Sequence, residues 1–172
     1  MRVFFFNFGV ENSKKKVNSH HLFPLSFFLS LSRIRNAHVQ TNKQGVKKFV
    51  LVTSIGCGAS RDAPPAQVYD VLKPVLLEKD KAEAALVAAC KKTGMEYVIV
   101  RPGGLSNEQA TGSAVLTEDA SVCGAVARED VAALVASAAL KGSSNGKTLS
   151  AVDTSQLYEK EGEAPKFEVF SL

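Results

Sequence analysis

The chain is poor in cysteine: Cys57, Cys90 and Cys123 are the three it has in 172 residues, and no two form a C-x-x-C pair. That excludes a disulfide framework and a thiolate zinc site, and leaves small buried thiols in a reducing compartment as the plain reading. Their even 33-residue spacing is no repeat, because the flanks IGCGA, AACKK and SVCGA share only small neighbours. Long apolar runs are also missing. Leu22–Leu31 is ten residues long with Pro24 inside it, against the roughly twenty a membrane-crossing helix needs. Acid is scarce in residues 1–48, where nine Lys and Arg stand against Glu11 alone. Of the net charge of +4, this stretch carries +8, so the remainder carries −4. The basic character thus belongs to a leader and not to a folded face. With no stripe of Lys, Arg and aromatics in the body, a nucleic-acid partner is excluded. His20 and His21 have no carboxylate or cysteine beside them, so no metal site is expected.

What is present divides at Gly45. Residues 1–44 are rich in Phe, Ser and Lys without a sustained period, and are expected to be an unstructured or non-homologous leader. As a secretory signal they are wrong: Lys14–Lys16 lies far from Met1, and SRIRN follows the apolar stretch where small residues belong. The expected compartment is the cytoplasm. Scarce acid together with Ser and Arg resembles an organellar transit peptide, which makes a plastid the alternative.

From residue 45 to 172 the punctuation is that of an α/β domain. Lys47–Ser54 is a nearly continuous apolar, β-branched run closed by Gly56 and Gly58, which predicts a strand buried on both faces and hence a parallel sheet. Ala63-Pro64-Pro65 opens a loop, and Pro74 disfavours helical geometry at Lys73, so a long helix is expected to begin near Pro74 and to stop at Gly94. Glu96–Val100 reads as a second buried strand. Strand, helix and strand within about fifty residues make a βαβ unit, whose crossover is right-handed in nearly all cases. Further strands are expected at Val115–Glu118, Lys147–Val152 and, in the tail, Phe167–Phe170. A helix is expected over Arg128–Leu140, with Glu129 and Asp130 in its first turn complementing the dipole.

Ligand crevices of open α/β sheets lie beyond the carboxyl ends of the strands. Two such ends are informative here. One is Thr53-Ser54-Ile55-Gly56, with a hydroxyl and free amides; the other is Pro102-Gly103-Gly104-Leu105, whose glycines let backbone approach a flat ring. FVLVTSIGCG, KDKAE, YVIVRPGGL, AREDVAALV and KTLSAVD, in that order over Gly45–Asp153, resemble the second half of the atypical short-chain dehydrogenase/reductase family, the NmrA-like group of NAD(P)-binding proteins with its chloroplast TIC 62-like members. The resemblance implies a partial Rossmann-like parallel sheet with flanking helices, the amino-terminal half of the fold missing, and NADP or NAD as cofactor. It assigns cofactor contacts to Thr53, Ser54, Ile55, Gly56, Lys79, Pro102, Gly103, Gly104 and Leu105, and catalytic roles to Ser54 and Lys79.

The departures are equally specific. The family grips pyrophosphate with G-x-G-x-x-G at a helix amino terminus, and this sequence has no such turn; Gly56-Cys57-Gly58 runs into SRDAPP instead. Two registers compete for the usual Tyr and Lys. Tyr69 and Lys73 have the Y-x-x-x-K spacing but precede the expected helix, whereas Lys79, with Glu83 four residues on, leaves Val75 where the tyrosine belongs. The second is preferred. It implies either an NAD(P)-dependent oxidoreductase without its usual proton donor or a non-catalytic dinucleotide-sensing or assembly module. With earlier strands missing, the Phe49 strand is expected to be an open edge prone to self-association.

Overall fold

The computed structural model describes residues 3–7, the first through their backbone alone, together with 45–159, 162 and 165–172. In chain order the elements are β1 (Val3–Asn7), β2 (Lys48–Val52), α1 (Ala66–Thr93), β3 (Glu96–Pro102), β4 (Gly104–Ser106), β5 (Ala114–Thr117), β6 (Ala125–Ala127), α2 (Arg128–Leu140) and β7 (Lys147–Asp153). Five strands form one sheet in the order β1-β2-β3-β7-β5, with β4 and β6 paired separately. The first four strands are parallel and β5 runs against β7.

The apolar runs behave as a parallel sheet demands, since period two sends alternate residues to opposite faces. Val50, Val52, Val98, Val100, Leu149 and Ala151 face α2, where Val131, Val135, Ala138 and Ala139 complete one cluster. Phe49, Leu51 and Ile99 face α1 and pack on Ala82, Leu86 and Cys90. The two helices therefore cover opposite faces, although both connections step the same way along the sheet. They are consequently of opposite hand, and one of them departs from the right-handed rule. A direct result is that, among the described residues, the α1 face carries no helix over β7.

Lys48 is the exception in an otherwise apolar strand. It is 1 % exposed, and its ammonium donates to the carbonyls of Ala138 (2.7 Å) and Lys141 (2.8 Å) and to Ser144 Oγ (2.7 Å). Those carbonyls belong to the end of α2, which has no basic residue in its own last turn. A strand lysine thus supplies the charge that the helix carboxyl terminus favours, and shares with the Ser144 hydroxyl the satisfying of its buried carbonyls.

Three expectations are corrected. The long helix begins at Ala66, not near Pro74, and carries Pro74 inside it. Proline removes one i to i−4 bond at a cost of about 3 kcal/mol, and the turns on either side, starting from the Tyr69 amide on the Pro65 carbonyl, sustain the helix across the gap. Val3–Asn7, expected within the leader, is a strand paired in parallel with β2 in register Val3↔Lys48 to Asn7↔Val52; the rest of that leader lies outside the described residues. The Phe49 strand is therefore not an edge, because β1 flanks it. Finally, Phe167–Phe170 is not a strand, although the Phe170 amide bonds the Leu116 carbonyl of β5.

Replacing Lys48 by Met keeps the volume and leaves the single Ser144 hydroxyl to serve both helix-end carbonyls, so that one of them loses its donor. We expect Lys48→Met to cost about 2–3 kcal/mol of unfolding free energy, read from urea denaturation; a midpoint equal to that of the unaltered chain would contradict this account of the α2 terminus.

Candidate functional site

The pairing of β2 with β3 does not stop where the strands formally end. Thr53 N donates to Val100 O (2.9 Å) and Ile55 N to Pro102 O (2.9 Å). The ladder therefore carries the Ser-Ile-Gly corner to the same level as the Pro-Gly-Gly corner, and both open at the carboxyl edge of the parallel sheet. Gly103 N continues the pattern to Ala151 O (3.0 Å) of β7, and Gly104 N turns onto Gly124 O (2.8 Å).

Thr53 is held at three points. Besides its amide, its hydroxyl donates to Glu83 Oε1 (2.6 Å), and its carbonyl accepts from Lys79 Nζ (3.1 Å). Its side chain is thus consumed by the protein, whereas the neighbouring Ser54 is half-buried and its hydroxyl has no hydrogen-bond partner among the described residues. Lys79 sits on the peptide link just before Ser54. Burial lowers the pKa of its ammonium from the ordinary lysine value, and the nearby Cys57 and Glu83 act against that shift. The two catalytic candidates are therefore linked through the Thr53 carbonyl, and Lys79 keeps donor capacity beyond that bond.

Glu83 is 5 % exposed and is the hub of the cluster. Arg101 meets it with two bonds, Nε to Oε1 (3.1 Å) and an η nitrogen to Oε2 (2.6 Å). Asp80, one residue from Lys79, accepts from the Gly58 amide (2.6 Å). Cys57 lies among these groups, and burial first, then Glu83 and Asp80, pushes its thiol up to about 12. Burial likewise pushes Cys90 up to about 11. Both are protonated, unreactive thiols near neutral pH.

The glycines serve the protein's own backbone as much as an approaching ring. A Cβ on Gly103 would lie 2.1 Å from the Gly124 carbonyl oxygen, so the space that glycine provides there is already filled. Gly56 has φ +99, a conformation that side chains avoid, and a Cβ there would stand 2.9 Å from Leu76. Ile55 points into a cluster with Ala63, Val122 and Val152, and Pro102 is buried; each can offer only backbone. Leu105 is exposed at the rim.

Of the residues in the competing register, Tyr69 and Lys73 do share helix α1, contrary to expectation. They still miss the site. Tyr69 lies ten residues before Lys79, about 15 Å along a helix, with its ring under the Arg61 guanidinium. Sequence reasoning overlooked Tyr158, whose hydroxyl stands 3.3 Å from where a Gly104 Cβ would be. No local motif marks it, because the tail brings it there through the Gly124–Leu157 bridge. It overlooked Asp130 and Asp153 as well. Asp130 accepts from the Thr111 amide (3.0 Å), and Thr111 Oγ1 donates to Asp153, so together they pin the 111–113 loop. Burial alone would raise Asp153, but bonds from Ser155 and Thr111 outweigh it and hold its carboxyl below the ordinary range.

A groove of about 550 Å³ runs along the flank of α1, lined by Asp80, Glu83 and Arg101 of the charged cluster together with Ala84, Val87 and Ile99. It does not include either corner. Among the described residues no cluster of His, Cys, Asp or Glu could hold a metal, and no helix is long and apolar enough to cross a membrane.

A parallel α/β sheet with helices on both faces and paired corners at its carboxyl edge defines a Rossmann-like domain. The family model described as NAD(P)H-binding matches residues 2–141, and the chain belongs to that family, on its atypical short-chain dehydrogenase side. It is 38% identical over 115 residues to the Arabidopsis thaliana protein At2g34460, chloroplastic, covering 64% of this chain and 40% of that one. To protein TIC 62, chloroplastic, of Pisum sativum it is 36% identical over 96 residues, covering 53% and 17%. Among solved structures, ChuY, an anaerobillin reductase from Escherichia coli O157:H7, superposes with a TM-score of 0.64 at 28% identity, over 80% of this chain and 61% of that one. The chain thus spans 40% or less of the length of these two curated relatives.

The Gly103 contact gives a direct test of the corner. Gly103→Ala must displace the Gly124 carbonyl and is expected to cost about 1–3 kcal/mol. Gly142→Ala, with nothing within 4 Å of the added Cβ, is the control expected to leave the urea midpoint unchanged. Equal midpoints for both would show that the corner is looser than its geometry.

Proposed function

We propose that residues 45–172 form the carboxyl-terminal part of an NAD(P)-dependent oxidoreductase of the atypical short-chain type, with the nicotinamide half of the cofactor lying over the two corners. The observation that carries this reading is the Lys79 ammonium on the Thr53 carbonyl, next to the unpartnered Ser54 hydroxyl. An ammonium there suits a ribose or carbonyl oxygen, and the Ser54 hydroxyl can donate to a substrate oxygen that gains charge as hydride arrives. The cofactor would supply the hydride; Ser54 and Lys79 would orient the reacting groups. NADP and NAD both fit, because the residues that choose between them contact the far ribose. The reductase name of a structural neighbour supports hydride chemistry, and the chloroplastic relatives support a plastid over the cytoplasm as compartment.

The alternative, a dinucleotide-sensing or assembly module, is favoured by one observation: Val75 stands four residues before Lys79, where a proton-donating tyrosine would be needed. Both readings place nucleotide in the same crevice. Both also leave the pyrophosphate without a glycine-rich turn in this sequence, so affinity should be weak.

The test is a fluorescence titration of the 172-residue chain with NADPH. We expect binding weaker than low micromolar, lowered further by Lys79→Met and by Ser54→Ala. Tight saturation in the low-micromolar range would overturn the weak-grip reading, and binding indifferent to both substitutions would overturn the site. Sedimentation addresses the outer side of β1, now the sheet edge on that flank. Unpaired strand edges recruit other strands, so concentration-dependent association is expected, and a sharp monomer boundary at high concentration would refute it.

A further inference from the structure

Glu83 and Arg101 make an ion pair that is almost wholly withdrawn from solvent. Arg101 is 8 % and Glu83 5 % exposed, and desolvating two charges is seldom recovered by their mutual attraction alone. The pair is not closed on itself. Glu83 Oε1 also accepts the Thr53 hydroxyl, while Lys79, one helical turn earlier, donates to the Thr53 carbonyl. A single residue at the strand end is therefore clamped by two residues four apart on the same helix face, which is the spacing at which helix side chains are neighbours.

We infer that Glu83 is a positioning residue: gripped by Arg101, it fixes the turn of α1 that delivers the Lys79 ammonium to the carboxyl end of β2, and its negative charge keeps that amine protonated beside Ser54. Lys79's place as a site group rests on the function proposed above; the clamp and its charge balance do not. The charged and titratable groups around Lys79 are Asp80 and Glu83 on its own helix, Arg101 on β3 and Cys57 in the loop after β2. Cys57 is a neutral thiol, and Asp80 is engaged with the Gly58 amide. Glu83 is thus the acid that most directly offsets both the burial of Lys79 and the positive charge of Arg101. Removing its charge leaves the burial of Lys79 without that carboxylate to offset it. The pKa of the amine then falls, since desolvation disfavours its charged form.

This is read by pH-dependent amine labelling of the intact chain with acetic anhydride, followed by peptide mass analysis, with Lys73, Lys91 and Lys92 as exposed internal standards. Glu83→Gln is expected to lower the pH of half-maximal Lys79 labelling by about one unit or more, with the standards unmoved. A purely structural role predicts the opposite, because loosening or unfolding returns Lys79 upward to the ordinary lysine range. An unchanged or raised value in Glu83→Gln overturns the proposal. Should that variant fail to fold, Thr53→Val removes one arm of the clamp while leaving every charge in place. Lys79 labelling at fixed pH should then rise roughly threefold relative to Lys73, the equivalent of one lost hydrogen bond; an unchanged ratio overturns the clamp. Neither readout involves nucleotide, so a chain that fails to bind NADPH leaves this result interpretable.

Discussion

The in-register pairing of β2 with β3 outlasts the strands themselves. Because Thr53 and Ile55 go on donating to Val100 and Pro102, two loops of unrelated sequence leave the sheet side by side at one height. Every feature of the crevice depends on that extension. Were the ladder to stop at Val52, the Thr53 carbonyl would be free to rotate, Lys79 would lose its anchor, and the Ser54 hydroxyl would have no fixed relation to Gly103. Parallel pairing requires a crossover helix to return the chain, and α1 is that helix. The element that makes the pairing possible therefore also carries the residues that secure its end.

Polar groups inside this core follow a common rule, in that each is spent where a strand or helix ends or a loop must be held, most often on a backbone group. Lys48 closes the end of α2, Lys79 and Glu83 close the end of β2, and Asp130 and Asp153 hold the 111–113 loop. Buried polar groups are tolerable when so paired and costly when not. The apolar clusters fix which faces meet, while these few contacts fix where each element stops. For a site built at element ends, the second kind of contact sets its dimensions.

Much of this was legible from the sequence. The run from Phe49 to Val52 and the run from Val98 to Val100 told of a sheet covered on both faces, since no single-faced strand could carry them. The helix over Arg128–Leu140 was marked by its acidic first turn. What stayed hidden has identifiable causes. Pro74 misplaced the start of α1, because local proline chemistry argues for a break that the helix on both sides overrides. Val3–Asn7 carries no alternation or turn signal that separates it from the Phe-rich stretch around it, so its pairing with β2 is visible only as a long-range contact. Lys79 and Glu83 were visible as a K-x-x-x-E spacing, but Arg101, eighteen residues from Glu83, carries no local signal that links it to them. Partners on different elements leave no period in the sequence, and Tyr158 was missed for the same reason.

The division of labour at the crevice bears on how a dinucleotide would be held. Pyrophosphate is normally gripped by several amides converging at a helix amino terminus, where partial charges add. In the described crevice, the Gly103 and Gly104 amides are already bonded to Ala151 and Gly124, and the Thr53 hydroxyl is bonded to Glu83. What remains for a ligand is the spare donor capacity of Lys79 and one serine hydroxyl. Two donors can orient the reactive ring of a cofactor, but they cannot match a converging set of amides for affinity. The geometry thus separates orientation from retention: these corners decide how a nicotinamide would lie, while how long it stays must depend on contacts to its phosphates elsewhere.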